Sequence, residues 1–345
     1  MIQRTNCFSV YTKAFEEKLE LVITDEISSE LYCKKYLSHL LQHKKYYLAI
    51  YADVLDKLIR HSVKKKEDII LIDFGAGNGL LGIFAKFCGF KKVFLNDLDE
   101  KFMQASRNLS GKLKIDMDGF IAGELSSVEH YFKNEKPDAF VGTDVIEHVY
   151  DLEVLFKRFQ QMNPAMVSVF TTGSNPANYF KVRALNKIQL KDELEGGTPE
   201  QHILFGEIAL EPFIRIREKI IRKNGVGLTE NDILLLARST RGQNEQDIIL
   251  SIDQYKLTGK FPLPASGNNT CNPLNSSWTE RILSFDNYYS LYSAVGFSCK
   301  IYDGFYNDHG QGLIIFVKKL LNAGITTFRK KISPYIVIVG YKKNN

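Results

Sequence analysis

Asp73, Asp97, Asp144 and the pair Glu147-His148 are the side chains whose types and spacing could do chemistry on a bound ligand. Asp73 opens the stretch Asp73-Phe74-Gly75-Ala76-Gly77-Asn78-Gly79, which follows the apolar run Ile69-Ile70-Leu71-Ile72 and precedes Leu80-Leu81-Gly82-Ile83-Phe84-Ala85. The pattern predicts a strand ending in a glycine turn that opens a helix. Without Cβ atoms, Gly75, Gly77 and Gly79 let the backbone turn tightly and a ligand approach it, while the new helix offers unpaired N–H groups and the positive end of its dipole. These are the parts of a nucleotide pocket.

Register decides the class of nucleotide. Gly77-x-Gly79-x-x-Gly82 matches the dinucleotide fingerprint, yet that fingerprint begins directly after its strand, and here Asp73 to Ala76 would intervene. Read from Gly75, the third fingerprint position is Leu80. The order apolar-apolar-Asp-x-Gly-x-Gly-x-Gly resembles motif I of the class I S-adenosylmethionine (SAM)-dependent methyltransferases. An acid at Asp73 suits a bound ammonium and sulfonium and repels phosphate.

The following residues extend the resemblance. Lys92-Val93-Phe94-Leu95-Asn96 reads as a second strand and Asp97-Leu98-Asp99-Glu100 as an acidic turn entering a helix. Asp97 lies about 20 residues beyond the glycines, where a second parallel strand delivers a carboxylate to ribose hydroxyls. Asp99 fits an N-terminal helix cap. Phe120-Ile121-Ala122-Gly123-Glu124-Leu125 is similar to the end of the family's third strand, where an acid meets the adenine amino group. Pro137 to Val149, ending in Asp144-Val145-Ile146-Glu147-His148-Val149, is similar to its fourth-strand motif. The resemblance implies a cofactor site made of Asp73, Phe74, Gly75, Ala76, Gly77, Gly79, Asp97, Leu98, Glu124 and Asp144, with SAM as the cofactor.

Methyl transfer from a sulfonium requires alignment, a dry pocket and, for a hydroxyl acceptor, removal of a proton. Histidine is the side chain whose charge changes near neutral pH, so His148 is the candidate base, and Glu147 is its companion in the catalytic turn. The competing reading is that the Glu-His turn only braces the cofactor loop. In a metal-dependent alternative, Asp144, Glu147, His148 and His202 resemble the acids and histidines that hold magnesium in small-RNA 2′-O-methyltransferases. No metal ligand is assigned in the preferred reading. Two further alternatives are a SAM-binding protein without catalysis and a dehydrogenase.

The elements that must position these groups form an α/β, Rossmann-like doubly wound sheet, mostly parallel, with an antiparallel last strand. Residues 1–66 carry helical spacing and are expected to lie across the pocket mouth, with Tyr46, Tyr47 and Tyr51 as aromatic surface. The SAM-binding core occupies 67–176, its fifth strand near Met166 to Phe170. A helical insertion over 177–277, too long for a plain connection, is the expected acceptor-binding region. Residues 278–345 return to the sheet, with Leu313 to Ala323 as an extra helix.

A net charge of +5, spread along the chain, disfavours nucleic acid as the partner and leaves a small-molecule, glycan or lipid-linked acceptor, with oxygen the favoured accepting atom. Five scattered cysteines suggest neither a disulfide frame nor a zinc site, so a reducing, cytoplasmic setting is expected. No apolar run approaches the roughly 18 residues of a membrane span. Gly310 to Lys342 is apolar and basic; packing against the sheet is its expected role, and peripheral contact with a membrane surface is the second.

Overall fold

The apolar run after Asp68 forms β1, Ile70–Phe74, whose first four residues are buried. Strands buried on both faces carry continuous apolar sequence, as β1 does. Four more strands follow: β2 (Lys92–Asp97), β3 (Gly119–Ala122), β4 (Ala139–Thr143) and β5 (Val167–Thr172). These five strands pair with one another in parallel. In the computed structural model, which describes residues 7–198 and 210–342, β6 (Ser298–Asp303) and β7 (Ile336–Tyr341) complete a sheet ordered β3-β2-β1-β4-β5-β7-β6. β7 runs antiparallel to both β5 and β6. The sheet is mostly parallel and doubly wound with an antiparallel last strand, as expected from the sequence.

The chain divides into two units. The first contains the sheet and comprises residues up to Ile146, Leu152–Thr172 and Ser284 onward; the second comprises Glu147–Asp151 and Gly173–Leu283. In the first unit the helices Ser9–Leu19, Leu31–Gln42 and Lys44–His61 precede the sheet. Phe15, Leu37, Val54, Leu55 and Leu58 from these helices join Leu71, Ile83, Leu95 and Val141 in one buried core. The third of these helices begins at Lys44, before the apolar periodicity that starts at Leu48, because its first turn is polar and carries Lys44 and Lys45.

The second unit has its own core. Phe213, Ile216, Ile220 and Ile221 from the helix Phe213–Asn224 pack with Ile233 and Leu236 from Glu230–Ser239, and with Ile248 and Ile252 from Glu245–Thr258. Arg217, fully buried, is paired with Glu193 and donates from Nε to the Ala237 carbonyl at 2.8 Å. The other oxygen of Glu193 accepts the Thr270 hydroxyl at 2.8 Å. A buried charge with these partners is tolerable; unpaired it would be costly.

All five cysteines are free thiols. Among the described residues no helix is long and apolar enough to cross a membrane.

Candidate functional site

The sheet order reverses between β1 and β4, since β2 and β3 lie on one side of β1 while β4 and β5 lie on the other. Ligands of open α/β sheets bind outside the carboxyl ends of the strands at such a switch point. Here the two strand ends carry the glycine turn and Asp144.

Gly75 and Gly77 are glycines for definable reasons. Gly75 has φ +68°, and a Cβ there would lie 2.4 Å from Cγ2 of Val145. Gly77 has φ +53°, and its Cβ would lie 2.9 Å from Cε1 of Tyr36. Gly79, also left-handed, is the N-cap of the helix Leu80–Phe87. The Phe74 ring turns into the core, edge-on to Phe140 and Phe159 at 6.1 and 5.9 Å.

The amides of the turn are claimed largely by the protein itself. Ala76 donates to the Asn96 carbonyl at 2.9 Å, and Gly79 to the Ala76 carbonyl at 2.8 Å. Gly77 donates to Oδ2 of Asp97 at 2.8 Å, and Gly82, in the first turn of the helix, to Oδ2 of Asp73 at 2.8 Å. Two carboxylates therefore occupy the electropositive end of this helix. Asp73 is 2 % exposed, and its pKa is pushed up from 3.8 to about 7, chiefly by burial and further by the charge of Asp97, against the opposing pull of the Gly82 amide.

Asp97 ends β2 and also accepts the Asp99 amide at 3.0 Å. Asp99 caps the helix Glu100–Leu113, accepting the Lys101 amide at 2.8 Å. Asp99 thus has the capping role its place suggests, while Asp97 accepts backbone amides of two loops. Between them Leu98 is 70 % exposed, an apolar side chain presented to solvent at the end of β2. Glu124 is exposed at the end of β3, where it is the N-cap residue of the helix Leu125–Tyr131 without a side-chain capping bond.

Asp144 follows β4 with φ +52°, a conformation that an L residue adopts only when its surroundings hold it there. Its amide donates to the Thr171 carbonyl at 3.1 Å. Its carboxylate acts on an aromatic cluster from the N-terminal helices. The phenols of Tyr36, Tyr46 and Tyr47 are raised first by burial and next by the Asp144 charge. Tyr46 donates to the Phe305 carbonyl at 3.0 Å, and the Tyr47 hydroxyl lies 3.0 Å from Nε2 of His39. Tyr51 instead is buried in the core.

Glu147 and His148 belong to the second unit. Glu147 is buried, and its carbonyl accepts the Arg281 amide at 3.1 Å. Nδ1 of His148 lies 2.9 Å from the Trp278 carbonyl. A carbonyl can only accept, so Nδ1 carries the proton and the neutral ring keeps Nε2 as its acceptor. The Trp278 amide returns a bond to the His148 carbonyl at 3.1 Å, and the indole N–H donates to the Tyr150 carbonyl at 3.1 Å. His202 lies outside the described residues. Among the described residues no group of three or more His, Cys, Asp or Glu side chains is gathered as a metal site.

Several contributors to this geometry carry no motif. Tyr36 closes on Gly77, Ser106 donates from Oγ to the Gly77 carbonyl at 3.0 Å, and buried Asn96 donates to the carbonyls of Ile121 and Gly123, each at 2.9 Å. Only the small size of Ser106 within a helix facing a glycine turn offered a sequence signal.

No family model matches the chain. Over 75 residues it is 32 % identical to a protein named ribosomal protein L11 methyltransferase from Acinetobacter baumannii strain AYE, covering 22 % of this chain and 25 % of that protein. The chain thus spans about a quarter of the length of the curated relatives it matches. Among solved structures it is similar to a SAM-dependent methyltransferase from Mesorhizobium loti, with TM-score 0.40 and 13 % identity over 84 % of this chain and 98 % of the other. It is also similar to PKMT2 from Rickettsia typhi in complex with AdoHcy, with TM-score 0.42 and 13 % identity over 86 % of this chain and 52 % of the other.

Proposed function

We propose that the chain is a SAM-dependent methyltransferase that methylates a small-molecule, sugar or lipid-linked acceptor, on oxygen. The observation that carries the reading is the capture of the Gly77 and Gly82 amides by Asp97 and Asp73. A pyrophosphate seeks the free amides and positive dipole of a helix N-terminus. At this terminus two carboxylates already hold two of those amides, which makes it hostile to an anion and favourable to a ligand carrying an ammonium and a sulfonium.

The residues fit that ligand. In this reading Asp97 accepts from ribose hydroxyls, Leu98 offers an apolar face to adenine, and Glu124 accepts from its amino group. Asp73 and Asp144 supply negative potential for the amino-acid portion. Gly75, Ala76, Gly77 and Gly79 provide close backbone approach, with Phe74 anchoring the turn.

When bound, SAM supplies an electrophilic methyl group whose sulfur departs with the electrons of the broken bond. The protein's part is alignment and proton removal. His148 receives the acceptor's hydroxyl proton on Nε2, its tautomer fixed by the Trp278 carbonyl. Glu147, buried beside it in sequence, adds negative charge that favours the imidazolium. The insertion supplies acceptor contacts.

Isothermal calorimetry on the purified chain tests the cofactor. Binding of SAM and of its demethylated product is expected, and binding of NAD in their place sinks the proposal. A screen of cell extract with labelled methyl donor then identifies the acceptor.

A further inference from the structure

The helix Leu313–Phe328 is apolar on two faces: Ile315, Leu321 and Ile325 are partly covered, and a second apolar stripe is left open. None of its residues is buried. Leu313, Ile314, Phe316, Val317 and Leu320 are exposed by 78, 72, 58, 46 and 56 %. A polar residue, Asn322, is instead turned to the protein, accepting the Tyr306 amide at 2.7 Å and donating to the Tyr306 carbonyl at 3.0 Å. Of the stretch Gly310 to Lys342, β7 is part of the sheet and buried, whereas no residue of the helix is buried. The hydrophobic effect alone would place such a stripe inward.

The charge around the stripe names its counterpart. From His309 to Lys342 there is no Asp or Glu, while Lys318, Lys319, Arg329, Lys330 and Lys331 are all basic. Asp303 pairs with Arg329 at 2.8 Å and with Lys330 at 4.0 Å. Among the described residues Lys318, Lys319 and Lys331 have no carboxylate partner within salt-bridge distance. Docking this face on a second copy would bring lysines against lysines with no acid in the segment to compensate. At about 1.5 Å per residue, the 16-residue helix is also too short for a hydrocarbon core of about 30 Å. An apolar stripe flanked by unpaired cations is the composition of a helix that lies in a membrane interface.

We propose that the helix Leu313–Phe328, with the following Arg329-Lys330-Lys331, docks the protein on an anionic lipid surface. Apolar side chains enter the headgroup boundary and the lysines meet anionic headgroups. The inference is independent of the methyltransferase reading, because it rests on a surface far along the chain from the glycine turn and is read without any cofactor.

The test is flotation of the full chain with vesicles of phosphatidylcholine plus phosphatidylserine, and of phosphatidylcholine alone. Strong, salt-sensitive flotation with the anionic vesicles only is expected. Lys319→Glu and Lys331→Glu should each weaken it by about five-fold or more, and Phe316→Glu by at least about ten-fold, with unchanged thermal melts because these side chains are exposed. Failure of the wild-type chain to float with anionic vesicles overturns the proposal, as does flotation indifferent to all three changes. A concentration-dependent dimer abolished by Phe316→Glu, without vesicle binding, overturns it in favour of a second copy.

Discussion

One oxygen of the Asp97 carboxylate accepts the amide of Gly77 at 2.8 Å, so the end of β2 holds the turn that follows β1. The carboxylate proposed to meet the ribose thus also sets the shape of the loop.

Asp97→Ala should weaken SAM binding by about 1 to 3 kcal/mol, since the ribose hydroxyls and the Gly77 amide lose their acceptor together. Asp99→Ala should leave SAM affinity intact and cost about 1 kcal/mol of stability through the lost cap. Calorimetry and urea melts on both variants separate the roles; equal losses of affinity would refute the assignment.

Asp73 predicts a stability slope with a definite sign. Its folded pKa of about 7 exceeds the ordinary 3.8, so the folded state holds a proton that the unfolded chain releases first. The contribution is fully present below about pH 4 and is lost as pH rises to about 7, by about 4 kcal/mol at most. Asp73→Asn should flatten that part of the stability profile. A cationic cofactor favours the ionised carboxyl, so SAM affinity in the wild type should rise with pH up to about 7 and should not do so in the variant.

Gly75→Ala should destabilise the protein by about 1 to 3 kcal/mol and suppress SAM binding, because the new methyl meets Val145 in a left-handed backbone. Val145→Ala on that background should recover only part of the loss, as it relieves the clash and leaves φ unchanged. Thermal melts of the single and double variants measure this.

His148→Asn should preserve SAM affinity while lowering turnover by about 10² to 10⁴, with the residual rate climbing at alkaline pH where the acceptor ionises unaided. Unchanged turnover at saturating SAM would assign the Glu-His turn to bracing alone. Chelator should leave the wild-type rate unaffected; its abolition of activity would return the magnesium alternative.

Local features were legible in the sequence. The strand, glycine turn and helix follow from apolar runs and glycines within a dozen or so neighbours, and the capping role of Asp99 follows from its place before Glu100. The illegible features depend on distant backbone. His148 takes its tautomer from the carbonyl of Trp278, 130 residues away, and a carbonyl has no residue type to read. Tyr36 reaches Gly77 from a helix with an ordinary amphipathic pattern. The open stripe of Leu313–Phe328 was not legible either, since Asn322 bonds Tyr306 from 16 residues away and a helix apolar on two faces does not say which face is covered.

β7 bonds to β5 on one side and β6 on the other, yet residues 173–283 separate β5 from both in the chain. During synthesis the first five strands emerge with the edge of β5 uncovered until the whole insertion has left the ribosome. The insertion's separate hydrophobic core lets it condense meanwhile, shortening the effective loop that β7 must close. Refolding should therefore show a late phase in which β7 registers on β5, slow because that is the strand pairing most distant in sequence.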